Sequence, residues 1–267
     1  MFYRNLTAFR IPACDLESTE SELLKAMPDH CLGEVGPLEL SARGWVSPIG
    51  ASAPELINQA GFFLQLALGI SQRLLPGSVV NEALSKRLEH IRESEGRNPG
   101  GRERKRIKDE ILVDLIPRSF IRTTRILGHI DARAGWLVVD TSSRKNAETF
   151  ATLIRETLGS FPAVPVNADI SPRAMMTSWI DGEPLPEGFV LGDECELRDP
   201  VDSGAVIKAS RQELGADEIR EHLACGKQAF RVGLVFEDRI SFVLDEGMGL
   251  RKVKFLEAAT EALEDGE

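Results

Sequence analysis

Two prolines, Pro76 and Pro117, frame the fold problem for this chain, because the spacing of apolar residues between them differs from that outside. Upstream, Phe62, Leu64, Leu66, Leu68 and Ile70 alternate with Phe63, Gln65, Ala67 and Gly69, so residues 61–70 read as a strand with one strongly buried face. Pro76 stands where a helix can begin, since its missing N–H would have no intrahelical partner. Val80, Leu84, Leu88 and Ile91 then recur at helical spacing up to Gly96. The run 96–101 is a loop by composition. A second helix follows from about Arg102, with Ile107, Ile111, Leu112, Leu115 and Ile116 on one stripe, and Pro117 stops it. Beyond that point the period returns to two. The expectation is a helical hairpin that protrudes from a sheet-bearing body.

The same excursion holds a charge anomaly. Residues 84–125 contain twelve Lys/Arg and seven Asp/Glu, a local +5 in a chain whose net charge is −10, which leaves −15 for the remainder. Cations gathered on one surface let an acidic protein hold a polyanion. A solvated hairpin with a basic turn is the plain alternative.

At 267 residues, 42% hydrophobic and 28% charged, the chain has the composition of one large or two ordinary globular domains. No run reaches the roughly 18–20 apolar residues of a membrane span. Met1-Phe2-Tyr3-Arg4-Asn5 lacks the pattern of a secretory signal, so a cytoplasmic location is expected. Cys14, Cys31, Cys195 and Cys225 form no CxxC pair and read as free thiols. His222 with Cys225, and His30 with Cys31, have no second pair at zinc-site spacing, so no metal or other cofactor is expected.

Elsewhere the periodicity predicts a strand at 2–11 and a helix at 16–27 with Leu16, Leu23, Leu24 and Met27 on one face. A turn-rich stretch is read at 44–50. Strands at 119–130 and 136–140 flank a turn at 131–135, a helix spans 143–158, and 161–165 is an extended connector and subdomain boundary. The C-terminal part reads as helices at 172–181 and 216–225, with strands at 204–209, 227–236, 238–244 and 250–255. Gly247 and Gly249 are assigned to the last hairpin turn, and the acidic tail 257–267 to a helix. No internal repeat is evident.

Catalytic signatures are missing: there is no GxxxxGK[ST] loop, no GxGxxG after a strand, no GxSxG and no HExxH. Asp140 ends a strand, but the carboxylates that would join it form no recognisable metal array, and Thr141, Ser142 or Ser143 reads better as the cap of the next helix. No catalytic residue is assigned. Phe120 follows Pro117 where the chain returns to the sheet, between Arg118 and Arg122. Strand alternation puts Phe120, Arg122 and Thr124 on one face, opposite Ile121 and Thr123. Spacing leaves Phe120 as a core residue, a stacking platform or an interface knob, with core packing favoured.

Several short blocks in fixed order resemble the bacterial RdgC family. They are Tyr3-Arg4-Asn5-Leu6, Gly44-Trp45-Val46-Ser47-Pro48-Ile49-Gly50 and Leu74-Leu75-Pro76-Gly77-Ser78-Val79-Val80, then Lys108-Asp109-Glu110-Ile111-Leu112 and Leu115-Ile116-Pro117-Arg118-Ser119-Phe120. The stretches 158–165 and 204–214 continue the match, which covers residue 2 to about 256. The resemblance implies an α+β fold: a curved subunit with mixed or antiparallel sheets and a protruding helical tip. Two such subunits would close as a ring-shaped homodimer around duplex DNA, with single strands as a further ligand. It implies DNA binding with little sequence preference, antagonism of the RecA recombinase, and a nucleoid-associated, non-enzymatic protein without a membrane partner.

By the same resemblance Phe120 is the aromatic finger of a subunit contact, while Arg211 and Gln212 lie in the matching part of the subunit's other end. Arg211 replaces the lysine of relatives, which keeps the charge. The family usually continues past Glu267 with a further strand-and-helix segment. The subdomains expected are a central one at 1–75 and 118–168, a tip at 76–117 and a base at 169–267. Candidate DNA-binding residues are Arg118, Arg122, Lys208, Arg211, Gln212 and Lys227, together with the tip cluster Arg102, Arg104, Lys105, Arg106 and Lys108. The rivals are a protein-binding adaptor acting on recombination proteins and a metal-dependent nuclease using Asp140.

Overall fold

Alternating apolar residues and tight turns build twelve strands, interspersed with six α-helices, among the described residues. The computed structural model describes residues 3–51, 53–167, 169–201, 204–257 and 259–260. The chain forms two compact units, each assembled from separate segments. One comprises Met1–Glu20, Gln59–Gln65 and Leu127–Glu267; the other comprises Ser21–Asn58 and Leu66–Ile126.

In the second unit, β2 (Ser41–Val46) pairs antiparallel with β4 (Phe63–Leu74), in register from Ser41 opposite Gln72 to Val46 opposite Ala67. The first half of β5 (Phe120–Asp131) lies on the other side of β4, where Thr123 Oγ1 and Ser71 Oγ are 2.8 Å apart. Trp45, Leu66 and Leu68 are buried at 1% exposure or less. The turn expected at 44–50 is thus corrected: Gly44, Trp45 and Val46 are strand residues. Gly44 serves close approach rather than turning, since a Cβ there would sit 2.3 Å from the Leu32 backbone nitrogen.

The hairpin follows the sequence closely. Helix α2 (Gly77–Glu95) starts after Pro76 and ends at Gly96, whose φ of 66° allows its N–H to reach the Arg92 carbonyl at 3.0 Å. Helix α3 (Gly101–Leu115) runs into a 3₁₀ turn at Ile116–Arg118. Only Val80 of α2 and Ile107 of α3 are fully buried, so the hairpin has a thin core.

In the first unit the strand order is β5–β6–β1–β12–β11–β10–β8–β9, antiparallel throughout. Here β1 is Leu6–Arg10, β6 Trp136–Asp140, β8 Phe189–Arg198, β9 Val206–Ser210, β10 Gln228–Phe236, β11 Ile240–Asp245 and β12 Leu250–Phe255. Short β3 (Asn58–Ala60) pairs with β4, and β7 (Val164–Pro165), within the expected connector, pairs with β1. Helix α4 (Arg144–Leu158) is capped by Ser143, whose Oγ accepts the Asn146 N–H at 3.3 Å. Its Phe150 is fully buried against Gly128, where a Cβ would stand 2.7 Å from the ring. Helices α5 (Pro172–Asp181) and α6 (Asp217–Ala224) contribute Met176, Ile180 and Ile219 to a core with Leu197, Val232 and Leu234.

Two further readings change. Helix α1 (Leu16–Ala26) buries Leu23, and Met27 beyond its end is also buried, but Leu24 is 48% exposed because it lies a full residue off that stripe. Strand β8 was not anticipated at all. Gly247 and Gly249 lie, as expected, in the turn between β11 and β12, where their N–H groups donate to Asp245 Oδ1 at 2.9 and 3.0 Å and Met248 takes the left-handed conformation at φ 59°. The tail 257–267 lies largely outside the described residues.

Candidate nucleic-acid interface

Helix α3 orders its charges against its own dipole. Arg102, Arg104, Lys105 and Arg106 crowd the first two turns, whereas Asp109, Glu110 and Asp114 fall later and the last turn has no basic residue. The N-terminal end of a helix is already positive, so each cation in the first turn, Arg102 and Arg104, costs about 0.3–1 kcal/mol at the surface. All five tip candidates, including Lys108, are exposed. Glu103, the acid in the first turn, is taken by Arg97 through two bonds of 2.7 and 2.8 Å, which hold its carboxyl below the usual carboxylate range. Arg104 Nε donates to the Pro99 carbonyl at 3.2 Å, and Arg106 stands 3.5 Å from Glu110. Among the described residues no ion pair engages Arg102, Lys105 or Lys108. Side chains and backbone together present positive charge at one helix end.

The same unit holds Arg118, Phe120 and Arg122. Arg73, which sequence reasoning missed, fixes the turn that leads to them: Nη1 donates to the Ile116 carbonyl at 2.9 Å and Nε to the Glu39 carbonyl at 3.0 Å. Ser119 Oγ closes the turn on the Ile116 carbonyl at 2.7 Å. Phe120 is 84% exposed, so the core reading favoured by spacing is corrected. Arg118 and Arg122 are exposed beside it, and Arg125 Nη1 donates to the Ser47 carbonyl at 3.3 Å.

Lys208, Arg211, Gln212 and Lys227 belong to the other unit. Lys208 projects from β9, with Nζ 3.8 Å from Glu196. Arg211 is exposed with φ at 58°, a left-handed conformation uncommon for a residue with a side chain. The next residue, Gln212, is tied by its N–H to the Asp193 carbonyl at 3.2 Å. Lys227 is half-buried, and its N–H reaches the His222 carbonyl at 3.2 Å.

Glu196 is a further charged centre that the sequence did not disclose, because β8 was not recognised. It is 4% exposed and accepts hydrogen bonds from Arg198 and Arg231. Burial pushes its carboxyl up, but Arg198, Arg231 and Lys208 outweigh that and hold it below the usual carboxylate range. Asp140 accepts the Asn5 N–H at 3.2 Å, and among the described residues no cluster of three or more His, Cys, Asp or Glu is placed to hold a metal ion. All four cysteines are free; burial pushes the Cys195 thiol up to about 11. No described helix is long and apolar enough to cross a membrane.

The antiparallel α+β fold thus presents exposed cations on a helix start and around an exposed aromatic. The chain belongs to the RdgC family: the family model described as "Putative exonuclease, RdgC" matches residues 1–267. It is 48% identical over 268 residues to the recombination-associated protein RdgC of Stenotrophomonas maltophilia (strain R551-3), covering 100% of this chain and 88% of that relative. The proteins of the same name from Xanthomonas campestris pv. campestris (strain B100) and Xylella fastidiosa (strain M12) are 47% and 48% identical, with the same coverage. The relatives' names state no enzymatic activity, whereas the family description does.

Proposed function

We propose that this protein is a recombination-associated DNA-binding protein that closes as a homodimeric ring on duplex DNA and limits access of the RecA recombinase. The reversed charge order of α3 carries the reading, since a helix start that gathers Arg and Lys gains only when an anion covers it. Phosphate contacts from such groups are blind to sequence. The names of the relatives support the link to recombination. Phe120, exposed and flanked by Arg118 and Arg122, is the proposed subunit contact, and Lys208, Arg211, Gln212 and Lys227 contribute further DNA contacts. Action in the cytoplasm, at the nucleoid, follows from this reading.

The test is affinity for random-sequence duplex DNA across a salt series. A steep fall with salt, equal for unrelated sequences, is the expected result; flat or absent binding would shift the assignment to an adaptor that acts on recombination proteins. Because the family description names an exonuclease, end-labelled duplex incubated with magnesium belongs in the same experiment, and shortening of the label would overturn the non-enzymatic reading.

A further inference from the structure

Within the first unit, strands β8, β10 and β12 and the start of α4 bring Arg198, Arg231, Arg251 and Arg144 to one cavity of about 320 Å³. Three of these arginines are held by buried carboxylates, Glu196 outside the cavity lining and Asp245 within it. Glu196 accepts from Arg198 Nε at 2.7 Å and from Arg231 Nη1 at 3.1 Å, with Lys208 Nζ 3.8 Å away. Asp245, 8% exposed, accepts from Arg251 Nε and from the Gly247 and Gly249 N–H groups. A guanidinium carries five N–H donors in a planar fork. Among the described residues, no hydrogen bond engages Arg231 Nη2 or the two terminal nitrogens of Arg251. Each fork is therefore fixed along one edge and keeps another for an acceptor, which lowers the entropy cost of binding.

The charge balance favours an anion. The cavity lining carries four arginines, Arg144, Arg198, Arg231 and Arg251, against three carboxylates, Glu148, Asp245 and Glu246, in a chain whose net charge is −10. The carboxylates at the cavity rim are already ion-paired: Glu148 with Arg144 at 3.0 Å, and Glu246 with Arg173, whose guanidinium also lies 4.2 Å from the centre of the Phe230 ring. Ligand pockets run from about 300 to 1,000 Å³, so this one suits a mononucleotide or a single strand end rather than a duplex. A terminal phosphate, with about −1.5 to −2 charges and three acceptor oxygens, satisfies several forks at once, where a diester offers one charge.

We propose that this cavity binds a phosphomonoester, carried by a free nucleotide or by the terminal phosphate of a nucleic-acid strand. The site does not rest on the clamp reading. Titration calorimetry of the full chain with adenosine monophosphate, and with adenosine as control, tests it directly. Saturable binding of the monophosphate alone is expected, weakened about tenfold or more by R251Q. R144Q removes an exposed arginine whose loss leaves the Glu196 and Asp245 networks intact, and weakens binding in the same sense should R251Q fail to fold.

Anisotropy with 5′-phosphorylated and 5′-hydroxyl single-stranded oligonucleotides separates the two sources. An Arg251-dependent preference for the phosphorylated end assigns a strand terminus; equal binding, beside saturable monophosphate binding, assigns a free nucleotide. No saturable binding of the monophosphate together with no end preference overturns the site, as does binding indifferent to both substitutions. Salt-dependent duplex affinity of the parent chain, measured alongside, shows which reading fails, since either can fail while the other stands.

Discussion

Phe120 exposes 84% of its surface where β5 begins, and nothing in its own chain gains from that placement. Phe120→Ala is therefore expected to change unfolding stability by less than about 0.5 kcal/mol while weakening dimerisation and retention on DNA. Urea titration beside sedimentation and duplex-retention assays checks this; a variant that dimerises and holds DNA like the parent would remove the finger role. Gly128 is the opposite case: a methyl group there meets the buried Phe150 ring, so Gly128→Ala should cost about 1–3 kcal/mol in urea unfolding. Two inward-facing residues contribute to the acid side of the stability curve. Burial lowers the His129 pKa from 6.5, against an opposing push from Asp131, so the unfolded chain takes up that proton first and stability falls as pH drops below about 6.5. Glu196 is also lowered, from 4.5, so its contribution is present above that value and lost as pH falls towards its folded pKa. Urea midpoints in a pH series should show both losses. Glu196→Gln, which strips the partner from two guanidiniums, should cost on the order of 3 kcal/mol near neutrality and reduce the lower step.

At the scale of elements, the N-terminus of α4 is closed by the Ser143 cap, and Ser143→Ala should lower stability by about 1 kcal/mol, read as a fall in the thermal midpoint. That cap, the α2–α3 hairpin and the β10–β11–β12 meander were all legible in the sequence, because each combines an unbroken period with a proline, glycine or hydroxyl at its end. Strand β8 was not. Its pairing with β10 shifts register twice, between Ala229 and Arg231 and again between Val232 and Leu234, and while Cys195 and Leu197 face the apolar core, Glu196 is buried on the other face under Arg198 and Arg231, so no clean apolar–polar alternation marks the strand. With β8 unseen, the arginines gathered on Glu196 had no common address. The tip cations were legible because charge on one exposed helix is local information. Arg73 was not, because its partners at Glu39 and Ile116 are distant in sequence and are backbone carbonyls, which composition does not reveal.

For the whole molecule, the proposed clamp makes a quantitative demand on salt dependence. Arg102, Lys105 and Lys108 are exposed and outside any ion pair among the described residues, so replacing all three by glutamine should flatten the log–log salt slope of duplex binding by roughly three units, one per lost phosphate contact. An unchanged slope would place the DNA elsewhere. The way the units are assembled bears on biogenesis as well. The residues of the second unit, 21–58 and 66–126, are complete once residue 126 has left the ribosome. The first unit must wait, because β1 pairs with β12: Leu6 lies opposite Leu250, and the Val253 N–H reaches the Arg4 carbonyl at 2.9 Å. During synthesis β1 therefore has one edge without its partner until residue 250 exists, a long-range closure that slows folding and leaves that edge open to other strands. A nascent chain stalled before residue 250 should accordingly show protease resistance in the second unit alone, and the first should acquire it only when β12 emerges.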